Sequence, residues 1–185
     1  PSEARLAARF GVNRHTVRRA LALLAEEGQI HVRRGAGATV IGAKLAYPLG
    51  PRTRFSENLE RAGRTPGRTL LRVETLRAEA EAAAHLDLAP GAPVHVAESV
   101  GLAGGVPVTH AVSHFPAARL PELPARLEAG GSVTEALAAC GVADYARAWT
   151  RISAACAEGA VARHLRLRPG APLLTTLSLD LDAQG

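Results

Sequence analysis

The chain has 185 residues, 47% hydrophobic, 3% aromatic and 21% charged, with 22 Lys and Arg against 17 Asp and Glu and a net charge of +5. That length holds one or two domains and that apolar share supports a packed core. No apolar run reaches the ~20 residues that span a bilayer and no secretory leader opens the chain, so a membrane partner is not expected and the sequence reads as cytoplasmic.

Residues 3–10 carry Leu6, Ala7 and Phe10 at helical spacing behind Ser2, a good N-cap, and stop at Gly11. Helix resumes at once behind a second cap, Asn13, with Val17, Leu21, Leu24 and Ala25 on one face and Gly28 as the stop. Two helices across so short a turn predict a helix-turn-helix. The second opens on Arg14, His15, Thr16, Arg18 and Arg19. Cations and hydroxyls there suit phosphate oxygens and base edges, and the amides and dipole of a helix N-terminus favour anions as well. The following QIHVRRGAGATVI predicts strand, turn and strand, a wing with Arg33 and Arg34 at its tip. Residues 1–41 hold seven Arg against three Glu, a net of +4, so most of the excess charge sits in the first fifth of the chain.

PSEARLAARFGVNRHTVRRALALLAEEG followed by RRGAGATV resembles the winged helix-turn-helix of the GntR family of bacterial repressors. The resemblance implies that Arg14, His15, Thr16 and Arg18, with Gly35 and Gly37 of the wing, touch an operator; Arg5, Arg19 and Arg34 join them as nearby cations. Relatives often carry an arginine at the position of Ala4, and they have a helix ahead of PSE that is not in this sequence, whose start therefore reads as trimmed or disordered.

Residues 42–54, with two Pro and two Gly and no periodicity, read as a linker to a second domain over 55–185. Ser56 is expected to cap a short helix ending at Gly63, entered through Arg52, Thr53 and Arg54. A strand over RTLLRVETLRAE, a helix over EAEAAAHLDL and a hairpin of VHVAESVGL with VPVTHAVSHF across Gly104 and Gly105 follow. A helix over 120–129, a Ser132-capped helix, a long strand from DYARAW, a helix over EGAVARHLRL and a strand over LLTTLSLDLD complete the order. HLDLAPGAPVHVAES recurs as HLRLRPGAPLLTTLS with Pro90 matching Pro169, an offset of 79. Two copies predict one pseudo-symmetric antiparallel sheet in an α+β domain with a shared core. The repeat also predicts a further strand beside the last one, past Gly185. Cys140 and Cys156 have neither CxxC nor Cys/His ligand spacing and read as buried free thiols; no metal or cofactor is expected.

The order of these elements resembles the UTRA effector domain of the HutC-like branch of GntR regulators, which has the chorismate-lyase-like fold. YPLGPRTRFSENL and TRISA resemble, within it, the regulators of phosphonate metabolism (PhnF-like). The resemblance implies a ligand whose anionic group docks on the amides around Phe55, Ser56 and Glu57. Sugar-phosphate regulators add two arginines at about the positions of Ser99 and Gly101. Their lack here shifts the burden to Arg52, Arg54 or Arg151, with Ser99, Ser113 and His114 as polar partners.

The expected function is a homodimeric, ligand-responsive regulator of double-stranded DNA, a repressor released from a palindromic operator by a small anionic effector such as a phosphonate or phosphate ester. The alternatives are a GntR/HutC-type regulator of amino-sugar phosphate or histidine and urocanate use, an architectural DNA-binding protein without a ligand, and a chorismate-lyase-like enzyme. Scattered histidines and the lack of a catalytic triad, an HExxH or a P-loop speak against the enzyme, and shared fold does not carry function.

Overall fold

The computed structural model describes residues 2–27, 29–33, 37–40, 48, 50–52 and 54–185. The chain divides into two units, Pro1–Ala46 and Tyr47–Gly185.

In the first unit α1 (Glu3–Phe10) and α2 (Arg14–Glu26) precede the strands β1 (Ile30–Arg33) and β2 (Gly37–Val40). Ser2 accepts from the Arg5 amide, and Gly11 turns left-handed at φ 65° to close α1. Asn13 Oδ1 accepts from the Thr16 amide at 2.8 Å. β1 and β2 pair antiparallel from Ile30↔Val40 to Arg33↔Gly37. Among the described residues of this unit, Val17 and Ile30 are the buried apolar side chains. Phe10, expected to face inward, is 65% exposed; it occupies the last turn of α1, ahead of the chain reversal at Gly11. Gly28 and the wing tip at 34–36 lie outside the described residues.

In the second unit α3 (Phe55–Arg61) leads into β3 (Pro66–Arg77), α4 (Ala80–His85), β4 (Pro93–Ala103) and β5 (Val106–Pro116). Then come α5 (Leu123–Glu128), α6 (Val133–Ala139), β6 (Tyr145–Cys156), α7 (Gly159–His164) and β7 (Pro172–Asp182). The repeat is carried into the backbone detail. The bounds of β6, α7 and β7 each fall 79 residues beyond those of β3, α4 and β4. Asp87 at φ 51° and Arg166 at φ 54° end the two helices in the left-handed region, as do Gly91 and Gly170 in the turns that follow. Leu88 N donates to Ala83 O at 2.9 Å and Leu167 N to Ala162 O at 2.8 Å, closing both helices with the same 6→1 bond. Pro66 pairs with Ala103, and Tyr145 with Asp182.

β3, β4 and β5 form one antiparallel sheet and β6 and β7 another. The single continuous sheet expected from the repeat is thus two sheets, because the outer edges of β5 and β7 do not pair among the described residues. On β7 this leaves Leu174 80% exposed. Strand alternation gives the larger sheet two apolar faces. Ala97 packs with Leu120, Leu123, Leu127, Ala136 and Leu137 beneath α5 and α6, and Val94 and Val96 pack with Ala78 and Ala83 beneath α4. Ser132 and Glu135 close a capping box on α6. Cys140 is half-buried and Cys156 exposed, and both are free thiols. Cys156 ends β6, where its apolar sequence surroundings do not enclose it.

Candidate DNA-binding surface and effector site

α2 presents Arg14, His15, Thr16, Arg18 and Arg19 to solvent, while Val17 alone among its first six residues turns inward. Thr16 doubles the cap: its hydroxyl donates to Asn13 Oδ1 at 3.0 Å, which leaves its lone pairs outward as acceptors. Arg18 is already engaged. Its Nη2 donates to Glu3 Oε2 at 2.9 Å and its Nε to Oε1 at 3.3 Å. This fork holds the Glu3 carboxyl below its ordinary range, the hydrogen bond from Arg18 being the largest cause. Arg5 is exposed on α1, and Gly37 opens β2 at φ 83°. Arg34 and Gly35 fall outside the described residues.

In the second unit the segment before α3 is strapped to the start of β6. Pro51 O accepts from Arg147 N, and Pro48 O from the buried Asn58 side chain at 3.1 Å. Arg52 and Arg54 converge on one carboxylate, Asp144, at 2.6 and 2.8 Å. Arg54, 6% exposed, also donates to Tyr145 O at 2.7 Å and lies 3.5 Å over the Tyr145 ring. Asp144 is accordingly held below its ordinary value, chiefly by Arg52. Ser56 does not cap α3. Arg54 occupies the cap position without a side-chain bond to the helix, since a guanidinium has no acceptor for the free amides and donates instead to Asp144 and Tyr145. Ser56 and Glu57 therefore lie inside the first turn.

Phe55, the first residue of α3, sets its ring against Gly101. A Cβ on Gly101 would lie 2.7 Å from the ring and 2.5 Å from Thr109 Cγ2. The space that a side chain at position 101 would take is filled here by the Phe55 ring. Ser99 pairs with Ala111 and Ser113 with Ala97, which puts both serines on the α5–α6 face. His114, their expected companion, pairs with Val96 on the opposite face. Arg151 lies on β6 in the other sheet, stacked 4.7 Å over Trp149. The structure thus gathers Arg52, Arg54 and Phe55 near the start of α3, aligns Ser99 with Ser113, and separates His114 and Arg151 from them.

An open cleft of about 630 Å³ lies between β5 and β7, lined by Ser113, His114, Arg119, Arg147, Asp180 and Asp182 among others. Its two arginines are already paired, Arg119 with Asp182 and Arg147 with Asp180, both at 2.6 Å. It follows the unpaired edges of the two sheets rather than the residues around Phe55. Sequence reasoning did not single out Asp144 or Tyr145. They stand some 90 residues from their arginine, and no local pattern links them.

A winged helix-turn-helix with an exposed basic helix, joined to an α+β unit built from a doubled strand–helix–strand repeat, defines a two-domain transcriptional regulator. Residues 1–40 match the bacterial regulatory proteins of the gntR family, and residues 61–185 match the UTRA domain. The chain belongs to the GntR family of transcriptional regulators with a UTRA effector domain; these are regulators, not enzymes. It is 43% identical over 187 residues to an uncharacterized HTH-type transcriptional regulator of Rhizobium meliloti, covering 100% of this chain and 76% of that one. It is 38% identical over 110 residues to the probable transcriptional regulator PhnF of Escherichia coli, covering 60% of this chain and 40% of that one. The crystal structure of PhnF from Mycobacterium smegmatis superposes with a TM-score of 0.69 at 28% identity, covering 100% of this chain and 80% of that one. No helix among the described residues is long and apolar enough to cross a membrane.

Proposed function

We propose that this chain is a cytoplasmic repressor of phosphonate uptake or metabolism genes, which binds a palindromic operator as a homodimer and is released by a small anionic effector. The observation that carries the DNA half is the first turn and a half of α2, with Arg14, His15, Thr16, Arg18 and Arg19 all in solvent. A dimer sets two such helices in successive major grooves, one helical turn or ~34 Å apart. Arg14 and Arg19 neutralise phosphates, and Arg18, drawn off Glu3, reads a guanine edge. Arg5, Arg34 and the backbone at Gly35 and Gly37 flank that contact. The phosphonate assignment is supported by the likeness to two proteins named PhnF.

The effector's anionic group docks on the first turn of α3, where the amides of Ser56 and Glu57 have no helical acceptor, and Arg52 is the exposed cation beside it. Ser99 and Ser113 supply hydroxyls to the remainder of the ligand. Drawing Arg52 from Asp144 loosens the strap between Pro51 and β6, and this strap is where the chain arrives from the winged helix.

Fluorescence anisotropy with the palindrome and with random DNA across a salt series tests the reading. Wild type should prefer the palindrome, and Arg14→Ala or Arg19→Ala should each flatten the log–log salt slope by about 0.9. Equal binding to both DNAs at every salt concentration would refute it. Thermal shift with methylphosphonate, phosphate, glucosamine 6-phosphate and urocanate tests the effector; stabilisation by urocanate alone would move the chain to another pathway.

A further inference from the structure

Glu98 on β4, His110 on β5 and His164 on α7 bring one donor atom each to within 4.8 Å of one another. They lie on the face of the sheet opposite to Ser99 and Phe55: Glu98 pairs with Val112 and Val100 with His110, so all four side chains share one face. The group is already ordered. His110 Nε2 is 2.8 Å from Glu98 Oε1, and Arg72 Nε donates to Glu98 Oε2 at 2.6 Å. The His110 and His164 rings stack with centroids 5.2 Å apart. His164 Nδ1 is buried and has no hydrogen-bond partner among the described residues. A nitrogen that has lost water and gained nothing in return is costly, and such a group calls for an explanation.

The repeat does not require this arrangement. The counterpart of His164 is His85 on α4, which meets Trp149 edge-on at 5.1 Å, and the counterpart of Glu98 is Leu177. The site draws on both copies, Glu98 and His110 from the first half and His164 from the second, and no mirrored set forms because Leu177 stands where Glu98 does.

We propose that Glu98, His110 and His164 form a site for a zinc-class divalent transition metal, with donors too far apart along the chain to form a ligand motif. Two imidazoles and a carboxylate are a borderline donor set, suited to Zn²⁺, Co²⁺ or Ni²⁺ and not to Mg²⁺ or Ca²⁺, which prefer all-oxygen shells. Zn–N and Zn–O bonds of about 2.0–2.2 Å place tetrahedral donors roughly 3.3 Å apart, a spacing that small side-chain rotations reach from the separations observed. Three protein ligands leave a fourth position for water or an oxyanion. Arg72 fixes the carboxylate from behind, as partners of metal ligands do.

The test uses the tag-free full chain. Zn²⁺ is titrated against a chromogenic chelator, and Co²⁺ is followed by its visible absorption. Wild type should take one metal per chain, and the Co²⁺ spectrum should show tetrahedral d–d bands without thiolate charge transfer. Glu98→Gln and His164→Gln should each weaken binding by roughly tenfold or more. His85→Gln and the Cys140→Ser, Cys156→Ser double variant should bind as wild type does. The proposal falls if wild type binds no stoichiometric metal, if a thiolate band appears, or if folded His164→Gln retains wild-type affinity. Should His164→Gln not fold, Glu98→Gln and the wild-type spectrum still decide.

Discussion

Replacing Gly101 with alanine probes the packing on which the proposed effector site rests. The added Cβ would lie 2.5 Å from Thr109 Cγ2 and 2.7 and 3.0 Å from Phe55 Cζ and Cε1. Carbon atoms pack comfortably at about 3.5–4.0 Å, so both neighbours must withdraw by about 1 Å. Thr109 is held by its pairing with Gly101 itself, and its β-branched side chain has little χ1 freedom. Phe55 is the first residue of α3, so moving its ring disturbs the turn that carries Ser56 and Glu57. Overpacking costs about 1–3 kcal/mol, offset by the roughly 0.5–1 kcal/mol that alanine gains over glycine inside a strand. Mid-range values leave a net loss of about 1 kcal/mol, a Tm fall of roughly 3 °C for a domain of this size. Calorimetry on wild type, Gly101→Ala, Phe55→Leu and the double variant forms a cycle. The smaller side chain that Phe55→Leu introduces should relieve the clash and give a coupling of about 1 kcal/mol. If Gly101→Ala is as stable as wild type, or costs as much in the Phe55→Leu background as with Phe55 in place, the contact does not set the packing.

Three further outcomes are expected. Glu3→Gln removes the carboxylate that occupies Arg18, so it should tighten operator binding with little change in Tm; weaker binding would mean that Glu3 positions Arg18 for DNA. Asp144 titrates below its ordinary 3.8 in the fold. Its brace with Arg52 and Arg54 is therefore complete above that value and is lost as pH falls through the lowered one. The Tm gap between wild type and Asp144→Asn should be widest at neutral pH and close in acid, whereas a constant gap would assign the loss to packing. Ser56→Trp should abolish thermal stabilisation by the anionic effector and leave operator binding intact, and a full response by this variant would place the pocket away from α3.

The parts of this fold that could be read from sequence are those whose causes lie within a few residues. Ser2, Asn13 and Ser132 each cap the helix they precede because the acceptor and the amide it satisfies are three residues apart. The strand–helix–strand repeat is legible for the same reason, and its left-handed closures at Asp87 and Arg166 are local. Ser56 misleads because its sequence context is that of a cap, while the segment ahead of it is drawn to Asp144 and Tyr145 across the unit. A contact some 90 residues long overrides a local preference. The same limit explains Phe10 and Cys156, whose apolar neighbours in sequence say nothing about what covers them.

His85 and His164 take this point furthest, since they hold the same place in the two copies and end the same short helix. Each reaches into the other half of the unit: His85 meets Trp149 of β6, and His164 meets His110 of β5. A repeat dictates how each copy folds on itself. It cannot dictate what lies across from it, since the opposing residues belong to the other copy and have diverged there. Chemistry in a duplicated fold is therefore to be sought where equivalent side chains meet unequal partners. The metal-binding proposal arises at such a place: His164 stacks on His110 beside Glu98, where its equivalent His85 meets a tryptophan.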